Sequence, residues 1–249
     1  MNPVFRWFHS LGSPPTFYRF ASRWIPWTGS AALTLGAIGL YLGLARAPAD
    51  YLQGESFRII YLHVPSAWMS LFIYVLMAVY GAIALIWRIK LCEILMLASA
   101  PVGAMFTAIT LITGMLWGKP TWGTYWEWDA RMTSELVLLF LYFGVLGLAY
   151  AYDDLRQGAR AAAVLALVGV VNVPIIHFSV QWWNTLHQGE SVQVIGKSTI
   201  HGSMLWPLLI MAVATKFYFL FALLQRARVL LLEQERGKAW VRELAMESR

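Results

Sequence analysis

The sequence predicts an all-α integral membrane protein with six transmembrane helices and both termini in the cytoplasm. The first observation is composition: of 249 residues, 59% are hydrophobic and 13% charged, and the mean hydropathy is +0.59. Soluble domains average about 45–50% apolar and about 25% charged residues, so this composition excludes a soluble domain and also a disordered chain. The second observation is a set of six long apolar stretches, and the third is an asymmetric distribution of Lys and Arg.

Each of the six stretches is long enough to cross a bilayer, because a core of about 30 Å needs about 20 apolar helical residues. Asn172, Pro174 and His177 interrupt the fifth. We interpret the first as an anchor, since it exceeds the apolar run of about 7–15 residues in a signal peptide. The chain, 1–249, is thus predicted to form a single membrane domain with spans near 28–46, 64–87, 92–116, 132–152, 161–181 and 203–225.

The positive charges predict the orientation of these spans. If the N-terminus is inside, the inside segments carry thirteen of the nineteen Lys and Arg residues. Lys and Arg concentrate in cytoplasmic loops, so both termini are predicted to be cytoplasmic, with 226–249 as a charged helical tail. The net charge of +6 reflects this bias and does not indicate nucleic-acid binding. The outside loops carry five positive charges, namely Arg46, Arg58, Lys119, Arg131 and Lys197.

The second outside loop, 117–129, is unusually rich in tryptophan. An aromatic belt at the membrane interface explains one or two Trp near a helix end, but it explains four in one loop poorly. Large π surfaces suit a flat, apolar ligand such as a porphyrin, and Gly118 and Gly123 allow backbone turns. The predicted platform consists of Trp117, Trp122, Trp126 and Trp128, with Tyr125 and Asp129 in the same loop.

Two histidines flank this loop on the same predicted side of the membrane. His63 lies at the outside end of the second span, and His187 lies in the third outside loop. A lone His near a helix end is more often a capping or interfacial residue, but imidazole is also a common ligand of haem iron. The pair beside a Trp-rich loop therefore predicts two axial ligands. His177 and His201 are weaker candidates, and His9 lies in the N-terminal tail.

Basic residues near the loop are candidates to bind the two haem propionates. Arg58 and Arg131 can form bidentate pairs with carboxylates, and a lipid headgroup is an equal alternative for both. Asp129 directly precedes a predicted helix, so it either caps that helix or orients an Arg side chain or a Trp N–H. The sequence lacks a G-x-x-x-x-G-K-[ST] motif, and any ATP hydrolysis therefore belongs to a partner. We predict a binding and transfer protein without catalytic residues.

The tract from Trp117 to Asp129, followed by Arg131 and Thr133-Ser134-Glu135-Leu136, resembles the WWD motif of haem-handling proteins. The chain is most similar to one branch, the CcmC family of bacterial cytochrome c maturation (haem exporter protein C). Position 125 is Tyr where some relatives have Trp, which should preserve stacking. The resemblance covers nearly the whole chain and includes Ala47-Pro-Ala-Asp50-Tyr51, Arg58-Ile-Ile-Tyr-Leu-His63-Val-Pro65 and Trp182-Trp183-Asn-Thr-Leu-His187-Gln-Gly189.

The resemblance implies haem delivery at the periplasmic face of the bacterial inner membrane. Members of this family hold haem b and present it to the chaperone CcmE, which binds haem through its own His. The ABC transporter subunits CcmA and CcmB then release the loaded chaperone, and the small protein CcmD assists. By resemblance, the axial ligands are His63 and His187, and the other site residues are Trp117, Trp122, Trp126, Trp128, Asp129, Arg58 and Arg131.

Two other functions remain open from the sequence alone. A permease subunit of an ABC-type haem transporter would need a polar path through the membrane. The spans offer few charged residues for such a path beyond Lys216 and, near the span ends, Glu93 or Glu135. A resident b-type membrane cytochrome would need facing His ligands within the spans, and only His177 fits that requirement.

Overall fold

The part of the chain that the structure describes is almost entirely helical. The computed structural model describes residues 12–183, 185–187 and 200–247. Arg6, His9, Lys197, Arg249 and the end of the Trp182–Gly189 segment therefore lie outside the described residues. Within the described ranges there is no β-strand, and the α-helices are α1 Pro14–Leu40, α2 Ile60–Trp87, α3 Lys90–Trp122, α4 Ala130–Tyr150, α5 Leu155–Gly169, α6 Asn172–Trp182, α7 Gly202–Glu235 and α8 Ala239–Glu247.

Within the described ranges, six helical segments are long and apolar enough to cross a membrane, which confirms the predicted number. A π-helical turn, Tyr41–Arg46, extends the first segment, and a 3-10 turn, Glu55–Ile59, leads into the second. Several segments exceed the predicted limits, because an apolar window detects only the part of a helix that is hydrophobic. The six segments are Pro14–Arg46, Glu55–Trp87, Lys90–Trp122, Ala130–Tyr150, Leu155–Trp182 and Gly202–Glu235.

The predicted loop 117–129 is a loop only in its second half. Helix α3 continues to Trp122, so Trp117 and Gly118 are helical, and the prediction that Gly118 forms a turn is wrong. Gly123 ends the helix with a φ of 81°, a left-handed conformation that glycine adopts without steric cost. Apolar periodicity missed this extension because Lys119 and Pro120 lie within the last turns of the helix.

The fifth segment is broken into α5 and α6 at the position where polar residues and proline interrupt its sequence. Pro174 has no backbone N–H and cannot bond to the carbonyl of Val170, so the helical ladder is interrupted there. The side-chain amide of Asn172 donates to the backbone carbonyl of Ser134 in α4 at 2.9 Å. The side chain of the interrupting Asn thereby joins α6 to α4.

The packing of the spans brings three interhelical connections to one end of the bundle. Helix α3 is the most buried span, α2 packs along it, α1 packs along α7, and α5 packs along α4. We call the end formed by the C-termini of α1, α3 and α6 and the N-termini of α2, α4 and α7 the site end. At the opposite end, Lys90 forms an ion pair with Glu235 and joins α3 to α7.

Candidate functional site

Two Trp residues on the last two turns of α3 contact the two candidate axial ligands at the site end. Trp117 packs edge-on against His63, with ring centroids 5.6 Å apart, and Trp122 packs against His187 at 4.8 Å. The two Trp are five residues apart on one helix, which corresponds to a rise of about 7.5 Å. His187 is also close enough to His63 for the two rings to interact electrostatically. Each candidate histidine therefore contacts a Trp of this segment.

His63 is fixed by a hydroxyl group of α3. Its Nδ1 lies 3.0 Å from Oγ1 of Thr113, and Oγ1 lies 2.6 Å from the carbonyl oxygen of Ile109. A hydroxyl group has a single proton, and here that proton is donated to the Ile109 carbonyl. Oγ1 therefore accepts the hydrogen bond from His63, so Nδ1 carries the ring proton. Nε2 of His63 keeps its lone pair for a ligand.

His63 also approaches the α3 backbone closely, at a position where the chain has no side chain. A Cβ atom added to Gly114 would lie 3.2 Å from Cε1 of His63, closer than ordinary van der Waals contact. Glycine at this position lets the imidazole lie against the helix. The position of the His63 ring thus depends on a residue that has no side chain.

His187 is fixed by a carboxylate instead of a hydroxyl. Its Nδ1 lies 3.0 Å from Oδ2 of Asp129, and the two side chains are 17% and 5% exposed. The other carboxylate oxygen of Asp129, Oδ1, accepts from the backbone N–H of Met132 at 2.8 Å and caps α4. Asp129 therefore fulfils the capping role predicted for it, and it also orients a histidine, which the sequence did not suggest.

Hydrogen bonding keeps the carboxyl of Asp129 ionised. Burial by itself would raise its pKa, but hydrogen bonds from His187 and from the backbone of Met132 and Leu186 together lower the pKa below its usual value. An ionised carboxylate can only accept a hydrogen bond, so Nδ1 of His187 carries the proton. Nε2 of His187 is left with its lone pair, as in His63.

Trp126 and Trp128 form the rim of the site beyond the helix end. Their rings meet edge-on at 5.2 Å, and Trp128 is 73% exposed. The indole Nε1 of Trp126 is buried and has no hydrogen-bond partner among the residues that the structure describes. Beside them is an open cleft of about 410 Å³ lined by Glu127, Trp128, Asp129, Thr185 and Leu186. This size lies within the range of about 300–1,000 Å³ typical of small-molecule sites.

Trp117 is tied to the connection between α1 and α2. Its Nε1 donates to Oε1 of Gln53 at 2.7 Å, and Phe57 packs edge-on against its ring at 5.9 Å. These two contacts hold the indole against His63. The connection after the first span therefore supports the site directly.

The two candidate propionate ligands have different surroundings. The guanidinium of Arg58 donates to the carbonyl of Gly43 at 2.8 Å and forms an ion pair with Glu55. It thereby ties the end of the first span to the start of the second. Arg131, on the first turn of α4, lies within electrostatic range of His63. Arg131 therefore acts electrostatically on a candidate ligand, whereas the contacts of Arg58 support the fold of the site end.

The weaker histidine candidates have other partners. His201 caps α7, since its Nδ1 accepts from the backbone N–H of Ser203 and lies 2.8 Å from that residue's hydroxyl group. His177 packs edge-on against Phe178 at 4.7 Å. Neither contact joins these rings to the aromatic residues around His63 and His187.

Sequence reasoning missed three supporting residues, namely Thr113, Gly114 and Gln53. The first two form a polar and a small residue in succession in an otherwise apolar span, and this was the available signal. It does not reveal that they face His63, which follows only from the packing of α2 against α3. Gln53 gave no signal in the sequence.

Comparison with known proteins agrees with the resemblance to CcmC. The family model described as Heme exporter protein C, CcmC, matches residues 7–242. The chain is 48% identical over 244 residues to Heme exporter protein C of Escherichia coli strain K12, covering 96% of each chain. It is 50% identical over 217 residues to the protein of that name from Bradyrhizobium diazoefficiens, covering 87% of this chain and 81% of the relative. A cytochrome c biosynthesis ccmC-like mitochondrial protein of Marchantia polymorpha is 44% identical over 200 residues, covering 79% of this chain and 84% of the relative. The chain therefore belongs to the CcmC family, Heme exporter protein C.

Proposed function

We propose that this chain binds haem b between His63 and His187 and delivers it to the chaperone CcmE during cytochrome c maturation. Membership in the Heme exporter protein C family supports a role in haem handling. The observation that carries the proposal is the matched state of the two imidazoles. Each is held through Nδ1, by Thr113 or by Asp129, and each is left with Nε2 for the iron.

The aromatic residues around the two imidazoles suit the porphyrin ring. Trp117 and Trp122 pack against the histidines, Trp128 lines the open cleft, and Trp126 packs edge-on against Trp128. A buried indole N–H without a partner is costly by about 1–3 kcal/mol, so Trp126 gains from a ligand that supplies an acceptor. A haem propionate supplies such an acceptor, and Arg131 supplies a cation nearby.

The proposed orientation follows from the positive charges. The end opposite the site end carries Lys90 and the Arg residues of the connections there, and Lys and Arg favour the cytoplasmic side. We therefore propose that the site end faces the periplasm in the bacterial inner membrane. CcmE would then approach from the periplasm, and CcmA, CcmB and CcmD would act on the loaded chaperone. This chain itself needs to make no covalent bond.

A transfer assay tests the proposal. The full chain is purified in detergent and loaded with haem, its optical spectrum is recorded, and apo-CcmE is then added. We expect a low-spin bis-His spectrum that His63→Ala and His187→Ala each alter. His201→Ala is the matched control, because His201 lies at the same end but caps α7.

Two results would contradict the proposal. If the spectrum is unchanged in the double variant of His63 and His187, the axial ligands lie elsewhere in the chain. If haem stays on the protein in the presence of apo-CcmE, the protein is a resident b-type cytochrome and not a delivery protein. A CcmE variant without its haem-binding His controls for passive loss of haem.

A further inference from the structure

We propose that the two axial ligands differ in strength and that His63 is the ligand that leaves first when haem is handed on. This inference rests on the proposed function and concerns the order of events at the same site. It comes from one juxtaposition. Nδ1 of His63 donates to a neutral hydroxyl group, whereas Nδ1 of His187 donates at the same distance of 3.0 Å to a carboxylate.

An ionised acceptor strengthens an imidazole as a metal ligand. Hydrogen bonds to a charged group are roughly twice as strong as those between neutral groups, so Asp129 draws the Nδ1 proton more strongly than Thr113 does. A stronger pull on that proton raises the electron density at Nε2, which then binds a metal more tightly. Because Asp129 is buried, solvent screens its charge little. His187 is therefore the stronger donor.

The surroundings of His63 reduce its donor strength further. The two acceptors close to the ring, Oγ1 of Thr113 and the backbone carbonyl of Thr110, are both neutral. Thr113 has already donated its own proton to Ile109. Arg131, a cation on the first turn of α4, also acts on the ring and disfavours donation of the Nε2 lone pair.

Release then begins on the His63 side of the haem. The bond between iron and Nε2 of His63 breaks, the nitrogen keeps the electron pair, and an incoming ligand donates its own lone pair to the vacated position. The oxidation state of the iron does not change, and no proton is consumed. His187 and the Trp contacts hold the haem until the new ligand is in place.

Cyanide exchange on the ferric, haem-loaded full chain tests this order, because cyanide first replaces the axial ligand that dissociates faster. Thr113→Val keeps the shape of the side chain and removes the hydroxyl group. We expect it to accelerate cyanide exchange by up to about tenfold. Thr113→Ser should restore the wild-type rate. Thr107→Val, which removes a buried hydroxyl group that bonds to the carbonyl of Gly103 within α3, is the matched control and should leave the rate unchanged.

The corresponding change at the other histidine should have a different effect. Asp129→Asn keeps the acceptor and removes its charge. We expect it to accelerate the loss of haem to apomyoglobin by about tenfold while changing cyanide exchange by less than about twofold. Cyanide exchange accelerated by Asp129→Asn but not by Thr113→Val would reverse the proposed order, and equal rates in both variants would overturn the ranking. A chain that takes up no low-spin haem would overturn the proposed function, and this inference with it.

Discussion

Asp129 uses its two carboxylate oxygens for two different tasks. Oδ1 accepts the backbone N–H of Met132 and begins helix α4, while Oδ2 accepts Nδ1–H of His187. The geometry of a candidate haem ligand is thus tied to the first turn of a membrane span. A carboxylate at the N-terminus of a helix also interacts favourably with the helix dipole.

Substitutions of Asp129 should separate these two tasks. Asp129→Ala removes both, so it should lower the stability of the haem-free protein by about 0.5–2 kcal/mol through loss of the cap. Asn is as good a capping residue, so Asp129→Asn should retain most of that stability. Because its amide is uncharged, it should still weaken haem affinity by about tenfold. Thermal unfolding in detergent and haem titration measure the two effects.

The opposite pattern would contradict this account of Asp129. An Asn variant that is destabilised as much as the Ala variant would mean that the charge, not the cap, supports α4. Wild-type haem affinity in both variants would mean that the hydrogen bond to His187 does not affect the site.

Gly114→Ala should disturb the site without harming the helix. The added Cβ would lie 3.2 Å from Cε1 of His63, so the ring must move by a few tenths of an ångström. In a helix, Ala is more favourable than Gly by about 1 kcal/mol, so the haem-free protein should not become less stable. We therefore expect weaker haem binding and an altered low-spin spectrum at normal stability.

The matched control for Gly114 is Gly147→Ala in α4. No atom lies within 4 Å of a Cβ added there, so it gives the same helical gain and no contact with the site. Equal haem affinity in the two variants would show that the contact between His63 and α3 does not constrain the ligand.

The sequence predicted the parts of this molecule that depend on composition and periodicity. The six spans follow from hydropathy, and the break in the fifth follows from Pro174 and its neighbours. The grouping of His63 and His187 with the Trp residues followed from the alternation of spans across the membrane. The full length of α3 could not be predicted, because a helix that continues past its apolar part leaves no hydropathy signal.

The contacts that hold the candidate ligands could not be predicted from one sequence. The hydrogen bond between His63 and Thr113 joins residues 50 positions apart, and the one between His187 and Asp129 spans 58. Such pairs depend on the rotation of each helix about its axis, which periodicity gives only approximately. The side-chain bonds of Arg58 to Gly43 and Glu55 likewise depend on the turns before α2.

Arg58→Gln should lower the thermal stability of the haem-free protein. The guanidinium joins the carbonyl of Gly43 to Glu55 and thereby holds the first span against the start of the second. A shorter, neutral side chain cannot make both contacts. Thermal unfolding in detergent measures the effect, and Arg46→Gln, an exposed arginine at the same end, is the control. Unchanged stability together with weaker haem binding would instead support a propionate contact for Arg58.

Trp126→Phe should weaken haem binding without destabilising the haem-free protein. The indole Nε1 is buried and finds no partner among the described residues, so its replacement removes an unsatisfied donor, which costs about 1–3 kcal/mol. Phe is smaller, and the lost packing offsets part of this gain, so the stability of the haem-free protein should be equal or higher. If a propionate accepts the Trp126 N–H, haem affinity should fall.

Trp128→Phe is the comparison, because its exposed ring loses apolar contact area but no buried donor. A Trp126→Phe variant that is less stable without haem, and binds haem as tightly as wild type, would show that the indole serves packing alone.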